Sequence, residues 1–322
     1  MSARDDGLVV VTGEALIDLV LARDGSLEGH PGGGPYNVAR TIGRLEQRVA
    51  YLGRLSTDGF GRRLRRELEL DGVDLRGVVA TDAPTTLALA ELDDAGAAKY
   101  HFYERGTSAV GLSPAAAEAA LPERVAVFYL GTLGLVFEPL ASTLEALVTT
   151  LADDVLVALD PNCRPSMIDD PAAFRGRLGR LLARTDVLKA SEEDLAWIDP
   201  DADPVSAARA LLAREGGVAL VTLGGRGALA VTARDTVAVR APEVDVVDTI
   251  GAGDAFMGAF IARWRERGLG RSDLQRLGEL EQAAELACRV AAITCSRAGA
   301  DPPRLAELWP GCPVRRRPRV GG

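Results

Sequence analysis

From about residue 125 to residue 223, short β-branched runs alternate with amphipathic stretches of 10–15 residues. Val125–Leu130, Val155–Asp160, Val187–Ala190 and Val218–Leu223 read as strands. Glu138–Leu151, Ala172–Leu182 and Val205–Glu215 read as the helices between them. Strands that are apolar on both faces and joined by helices can form only a parallel sheet covered on both sides. The same rhythm appears earlier, with strands at Val9–Val11 and Val49–Gly53 and helices at Tyr36–Leu45 and Gly61–Asp71. Beyond residue 223, Val237–Val247 suggests a short antiparallel excursion, followed by helices at Gly253–Arg267 and Leu280–Ala292. The expected fold class is therefore α/β, a doubly wound and mostly parallel sheet flanked by helices.

Two early segments, about 14–30 and 86–106, break this rhythm. The second reads as a hairpin, Thr86–Leu92 and Lys99–Arg105 around the turn Asp93-Asp94-Ala95-Gly96. Together they predict a small β-sheet lid on a single domain spanning 1–310. Residues 311–322, with the basic run Arg315-Arg316-Arg317-Pro318-Arg319, read as a disordered, solvated tail.

Composition excludes several classes. A net charge of −9 argues against a general nucleic-acid partner. The two histidines, His30 and His101, leave little for a His-ligated metal or a Ser-His-Asp triad. The cysteines, at 163, 288, 295 and 312, form no C-x-x-C pair and fit reduced thiols in a cytoplasmic protein. Neither lysine, Lys99 or Lys189, sits in a Walker A loop. The apolar run Val125–Phe137 has 13 residues, short of the roughly 20 that span a membrane.

Two stretches could carry chemistry. Val246 to Phe256 runs from an apolar strand through Gly251-Ala252-Gly253 into a helix that opens with Asp254. Unpaired amides and the positive dipole end make such a helix start an anion site. A carboxylate beside a phosphate is explained if it takes a proton from a hydroxyl that attacks that phosphate. The plainer reading is a tight turn with a dipole-favoured Asp. A dinucleotide fingerprint fails, because Phe256 stands at the third glycine position. The second stretch, Gly32-Gly33-Gly34-Pro35-Tyr36-Asn37, permits close backbone approach, and with Asp18 upstream it suits hydroxyl groups.

Together these stretches resemble the ribokinase-like (PfkB) carbohydrate kinases over roughly residues 8–305. Gly32–Gly61 matches the first family signature and Asp248–Ile261 the second. Gly13–Asp18, Asp160-Pro161-Asn162-Cys163-Arg164 and Thr294–Ala300 resemble the fructokinase and 2-keto-3-deoxygluconate kinase branch. The resemblance implies ATP and Mg²⁺ as cofactors, with a K⁺ site beside the anion hole near Asp248. It implies that Asp254 is the general base and that Gly251, Ala252 and Gly253 form the anion hole. It places Asp18, Gly33, Gly34, Asn37, Tyr103, Arg105 and Arg164 around the sugar. The nucleotide falls to Ser191, Thr222, Gly224, Gly225, Gly227 and Ala291. Where the family often has Asn-x-x-Glu, this chain has Ser191-Glu192-Glu193-Asp194, and Asp194 is the candidate for organising the metal.

The expected function is ATP-dependent phosphorylation of a primary hydroxyl of a small sugar, with D-fructose giving fructose 6-phosphate. 2-Keto-3-deoxygluconate is the alternative acceptor, since Arg105 and Arg164 could hold its carboxylate, and ribose or a nucleoside follows. A catalytically silent sugar or nucleotide sensor, and a dinucleotide-dependent oxidoreductase, are the readings from other classes. The expected partners are the sugar, the nucleotide and a second copy joined through the lid by Leu87, Leu89 and Phe102.

Overall fold

The computed structural model describes residues 7–21, 25–92 and 98–308. The turn residues Asp93–Gly96, residue Asp24, Cys312 and the basic run Arg315–Arg319 lie outside them.

In chain order the strands are β1 (Leu8–Thr12), β2 (Leu16–Leu21), β3 (Leu27–Gly32), β4 (Val49–Ser56), β5 (Val78–Thr81), β6 (Leu87–Leu92), β7 (Ala98–Tyr103), β8 (Val125–Gly131), β9 (Leu156–Asp160), β10 (Val187–Ser191), β11 (Val218–Thr222), β12 (Ala228–Val231) and β13 (Thr236–Val239). The helices are α1 (Gly34–Arg44), α2 (Gly59–Leu70), α3 (Pro114–Ala120), α4 (Leu140–Thr150), α5 (Pro171–Leu182), α6 (Glu192–Ile198), α7 (Pro204–Ala210), α8 (Ala252–Glu266) and α9 (Leu277–Cys295). Nine strands form one sheet in the order β13-β12-β11-β10-β9-β8-β1-β4-β5. It is parallel from β11 to β5, and β12 and β13 add an antiparallel edge.

Alternation along these strands builds two cores, one on each face. Val9, Val11, Tyr129, Ala158 and Leu220 pack beneath α1, α2, α8 and α9. Val10, Phe128, Leu130, Val157, Leu159 and Val221 pack against α4, α5 and α7. The chain winds outward from β1 through β4 to β5, then restarts at β8 on the other side of β1. That reversal opens a crevice at the carboxyl ends of β1 and β8, where ligands of such sheets bind.

The lid is a four-stranded sheet, β3-β2-β6-β7, whose central pair is parallel. Its register places Asp18 beside Ala88 and Ala88 beside Phe102, so this row shares one face. Ile17, Leu87 and Tyr103 form the neighbouring row on the opposite face.

Several expected boundaries shift. The helix expected over Val205–Glu215 stops at Ala210, and the chain then turns so that Arg214 lies 3.2 Å from Asp186 and donates to the Arg184 carbonyl. The helix expected from Glu138 begins at Leu140, after Pro139. The antiparallel excursion spans 228–239 instead of Val237–Val247, because Thr232 Oγ1 accepts from the Asp235 amide and closes the hairpin earlier. Helix α6, for which no element was expected, is capped by Ser191.

A buried ionic knot joins the C-terminal segment to α1. Asp71 accepts from Arg40 Nε at 2.8 Å, Arg44 Nε at 2.9 Å and an Arg304 nitrogen at 2.7 Å. Arg44 also reaches Asp301 and the Pro302 carbonyl. Removing one partner of such a cluster leaves buried charge uncompensated, at a cost of about 3–5 kcal/mol. Asp71→Ala is therefore expected to lower the urea midpoint by that equivalent at unchanged slope. A loss under about 1 kcal/mol would show the knot to be dispensable.

Candidate active site

The crevice is a cleft of about 810 Å³, and the ends of five adjacent parallel strands supply it. Glu14 follows β1, Thr132 follows β8, Asn162 and Arg164 follow β9, Ser191 ends β10 and Thr222 ends β11. The lid contributes Leu16, Asp18 and Phe102. Helix α8 points its N-terminus into the cleft, and α9 lines it with Cys288, Ala291, Ala292 and Cys295.

Gly251 caps α8 in the left-handed region, φ 73°, so the chain turns sharply into the helix. No side chain caps this end; the Ala252 amide donates to the Thr249 carbonyl at 3.3 Å, and Gly251, Ala252 and Gly253 line the cleft. Asp254, buried in the first turn, accepts a 2.9 Å hydrogen bond from Asn37 Nδ2. Asn37 Oδ1 is buried without a partner and is available to a ligand hydroxyl. A Cβ on Gly34 would stand 3.2 Å from Asp254 Oδ1 and 2.6 Å from Thr132 Cγ2, so this glycine keeps the approach to the carboxylate open.

Burial raises the Asp254 carboxyl above the ordinary range, while the Asn37 bond and the charges of Lys189 and Arg164 oppose the rise. Asp18 is pushed up to about 7, first by burial and then by the nearby Asp254 charge. Glu14, Asp18 and Asp254 line the cleft and Asp160 pairs with the cleft-lining Lys189; all four have raised pKa, a pattern typical of functional sites.

Glu14 is a cleft-lining residue that sequence reasoning did not single out. Its buried carboxylate accepts from the Gly34 amide at 3.1 Å, the Gly134 amide at 2.9 Å and the Thr132 hydroxyl. It therefore ties the exit of β1, the start of α1 and the exit of β8 into one wall. The available signal was an acid immediately after an apolar strand and a glycine. Lys189 and Asp160 were missed similarly. Asp160 stands in the quoted Asp160–Arg164 stretch, and Lys189 is a lone lysine in an otherwise apolar strand.

The cleft gathers Asp254, Gly251, Ala252, Gly253, Asp18, Gly33, Gly34, Asn37, Arg164, Ser191, Thr222, Gly224, Gly225, Gly227, Ala291 and Asp194. It does not gather Tyr103 or Arg105. Strand alternation turns Tyr103 away from the Phe102 row, and it is 57% exposed. Arg105 lies past the end of β7 with its side chain 98% exposed beside Glu104, and it lines a separate cavity. Phe102 is the lid aromatic that faces the cleft, so it leaves the row that carries Leu87 and Leu89.

Asp194 is committed differently from expectation. Its carboxylate accepts from the Cys163 amide at 2.6 Å and from the Ser191 amide and hydroxyl at 2.8 and 2.9 Å, as the capping box of α6. Among the described residues no group of three His, Cys, Asp or Glu could hold a metal. Asp248 is similarly engaged, accepting from the Ile250 and Gly299 amides. No helix of the described residues is long and apolar enough to cross a membrane.

Residues 6–306 match the family described as pfkB family carbohydrate kinase. The chain is 35% identical to fructokinase-1 of Oryza sativa subsp. japonica over 320 residues, 96% of this chain and 97% of that one. The structure superposes on a fructokinase with bound ATP from Xylella fastidiosa at TM-score 0.84 and 25% identity, covering 94% of this chain and 96% of that one. It superposes on a fructokinase from Vibrio cholerae O395 bound to fructose, ADP and calcium at TM-score 0.80 and 26% identity, covering 94% and 97%.

Burial pushes Glu14 up to about 7 from an ordinary 4.5. Between those values the folded chain binds more protons than the unfolded one, so stability falls as pH rises through about 7. Glu14→Gln removes this contribution. Urea midpoints at about pH 5 and pH 8 should differ less in the variant than in the wild type. An equal difference would mean that Glu14 titrates normally.

Proposed function

Because the chain belongs to the pfkB family of carbohydrate kinases, we propose that this sugar kinase phosphorylates a primary hydroxyl of D-fructose, giving fructose 6-phosphate. The observation that carries the mechanism is Asp254 in the first turn of α8, held by Asn37 at a helix start that no side chain caps.

Asp18, the Asn37 side-chain oxygen and the Gly33–Gly34 backbone hold the sugar against the lid. Asp254 takes the proton of the attacking hydroxyl while its oxygen bonds to the terminal phosphorus of ATP. The bond from that phosphorus to the bridging oxygen breaks, and its electron pair leaves with ADP. The amides of Gly251, Ala252 and Gly253 meet the charge on the transferring group with dipoles already oriented, so little reorganisation is needed. Thr222, Gly224, Gly225 and Gly227 border one side of the nucleotide and Ala291 the other, with Ser191 below.

The donor set suits magnesium that arrives with the nucleotide, since that ion keeps several waters and needs few protein ligands. Asp194 and the neighbouring Glu193 line the cleft and would hold it through water. Its contribution there is neutralisation of the phosphate oxygens. Potassium beside Asp248 belongs to the same reading. The alternative acceptor, 2-keto-3-deoxygluconate, has weaker support because Arg105 stands outside the cleft, so of the two arginines expected to hold a carboxylate the cleft contains Arg164.

Coupled ADP release with Mg-ATP over fructose, 2-keto-3-deoxygluconate, ribose and nucleosides tests the reading. Fructose is expected to be turned over fastest. Asp254→Asn should cut kcat by about 10²–10⁴-fold with sugar binding retained. Bound sugar with no turnover on any acceptor would favour a sensor.

The protein forms a single unit with its lid, in the cytoplasm, and the lid face away from the cleft pairs with a second copy. That face carries Leu87 and Leu89, half-buried, with Leu27 and Tyr103 exposed. Leu89→Glu is expected to shift sedimentation from dimer to monomer. A wild type that sediments as a monomer removes the pairing.

A further inference from the structure

The chain has 37 basic residues and only two lysines, yet the cation buried beneath the cleft is a lysine. Lys189 lies one residue past the paired stretch of β9 and β10, where the register brings it beside Asp160. Its Nζ is 2.9 Å from Asp160 Oδ2, and both side chains are almost wholly buried. Asp160 Oδ1 accepts from the Asn162 amide. On β10, Val187, Lys189 and Ser191 share the face covered by α8, while Leu188 and Ala190 enter the opposite core. A Cβ on Gly253 would stand 3.0 Å from Lys189 Nζ, so the ammonium lies directly against the first turn of α8. Lys189 also lines the cleft.

Stability alone does not account for this arrangement. A buried ion pair is often matched or exceeded by apolar residues of similar volume, and both cores beside β10 are apolar. An ammonium is a compact point charge with three donors, whereas the forked guanidinium is larger and planar. The compact group is the one placed between Gly253 and Asp160. Arg164, the other cation lining the cleft, is exposed. The acids whose fields reach Lys189 are Asp160, Asp194 and Asp254. Three acids against one buried cation leave the pocket short of positive charge where a phosphoryl group must enter.

We propose that Lys189 is a catalytic residue for phosphoryl transfer: its ammonium, held by Asp160 beneath the α8 turn, neutralises charge that the transferring group presents at the Gly251–Gly253 amides. The inference rests on the sugar-kinase reading of the site. Lys189 exchanges neither a proton nor an electron pair. The new bond joins the acceptor oxygen to phosphorus, the bond to the bridging oxygen breaks, and the proton goes to Asp254. Gly253 is part of the device, because a Cβ there would press the ammonium away from the turn by a few tenths of an ångström.

The test compares wild type with Lys189→Met and with the double variant Lys189→Met/Asp160→Asn, which removes both charges of the pair. In both variants kcat should fall by about 10²–10³-fold, with KM for sugar changed less than about threefold. Inhibition by ADP with aluminium fluoride and sugar, a mimic of the transferring group, should weaken by a comparable factor while ADP alone still binds. If the double variant regains wild-type kcat, Lys189 only neutralises Asp160 and the proposal fails. Should Lys189→Met not fold, the double variant decides alone. A wild type that turns over no sugar removes both readings; an active wild type with an unimpaired double variant removes this one only.

Discussion

A parallel sheet buried on both faces has no room for charge along its strands, so its charged groups gather at the strand ends. β1, β8, β9 and β11 obey that constraint, while β10 carries Lys189 at its middle, paired with the end of β9. β9 is wholly buried and ends at Asp160, and β10 ends at Ser191. Because all these strands point the same way, their ends converge on one edge, and the winding reversal between β1 and β8 opens that edge into a cleft. The site is a consequence of the sheet before it is a collection of motifs.

Concentrating charge in this way has an electrostatic cost, visible in the carboxyls pushed above their ordinary range. Glu14 and Asp18 rise to about 7 and Asp160 to about 6, each chiefly through burial. Such groups are held in place by the surrounding fold. Glu14 survives because three donors from two segments, the start of α1 and the turn after β8, converge on it, and Asp254 survives because Asn37 and the field of Lys189 offset its desolvation. A sugar kinase benefits from this environment, since a dry, preorganised pocket strengthens each dipole aimed at the reacting phosphorus.

Support reaches the cleft from a distance. The Asp71 knot holds Arg40, whose guanidinium also lies 3.5 Å from the Ala300 carbonyl. Ala300 in turn packs where a Cβ on Gly251 would stand, 2.5 Å away. The left-handed cap of α8 is thus braced by a loop that is itself braced by ions on α1. The lid obeys the simpler rule of strand alternation, which decides that Phe102 faces the cleft and Tyr103 does not.

The sequence by itself determined the α/β class, the two segments that form the small sheet, and the glycine-rich turn at Gly251–Gly253 that opens a helix with Asp254. Those features are local: hydrophobic period, glycine spacing and the residue that opens a helix are all written within a few neighbouring positions. Boundaries such as the early end of α7 at Ala210 depended on Arg214 finding Asp186, and no local pattern contains that pair. The partners of the site residues were likewise settled only in three dimensions. Asn37 and Asp254 are 217 residues apart, Glu14 and Gly134 are 120 apart, and the face on which Tyr103 falls follows from a register two strands away. Lys189 shows the difference most clearly: in the sequence it is one charge in an apolar strand, and only the convergence of parallel strand ends beneath α8 places that charge where a phosphoryl group would pass.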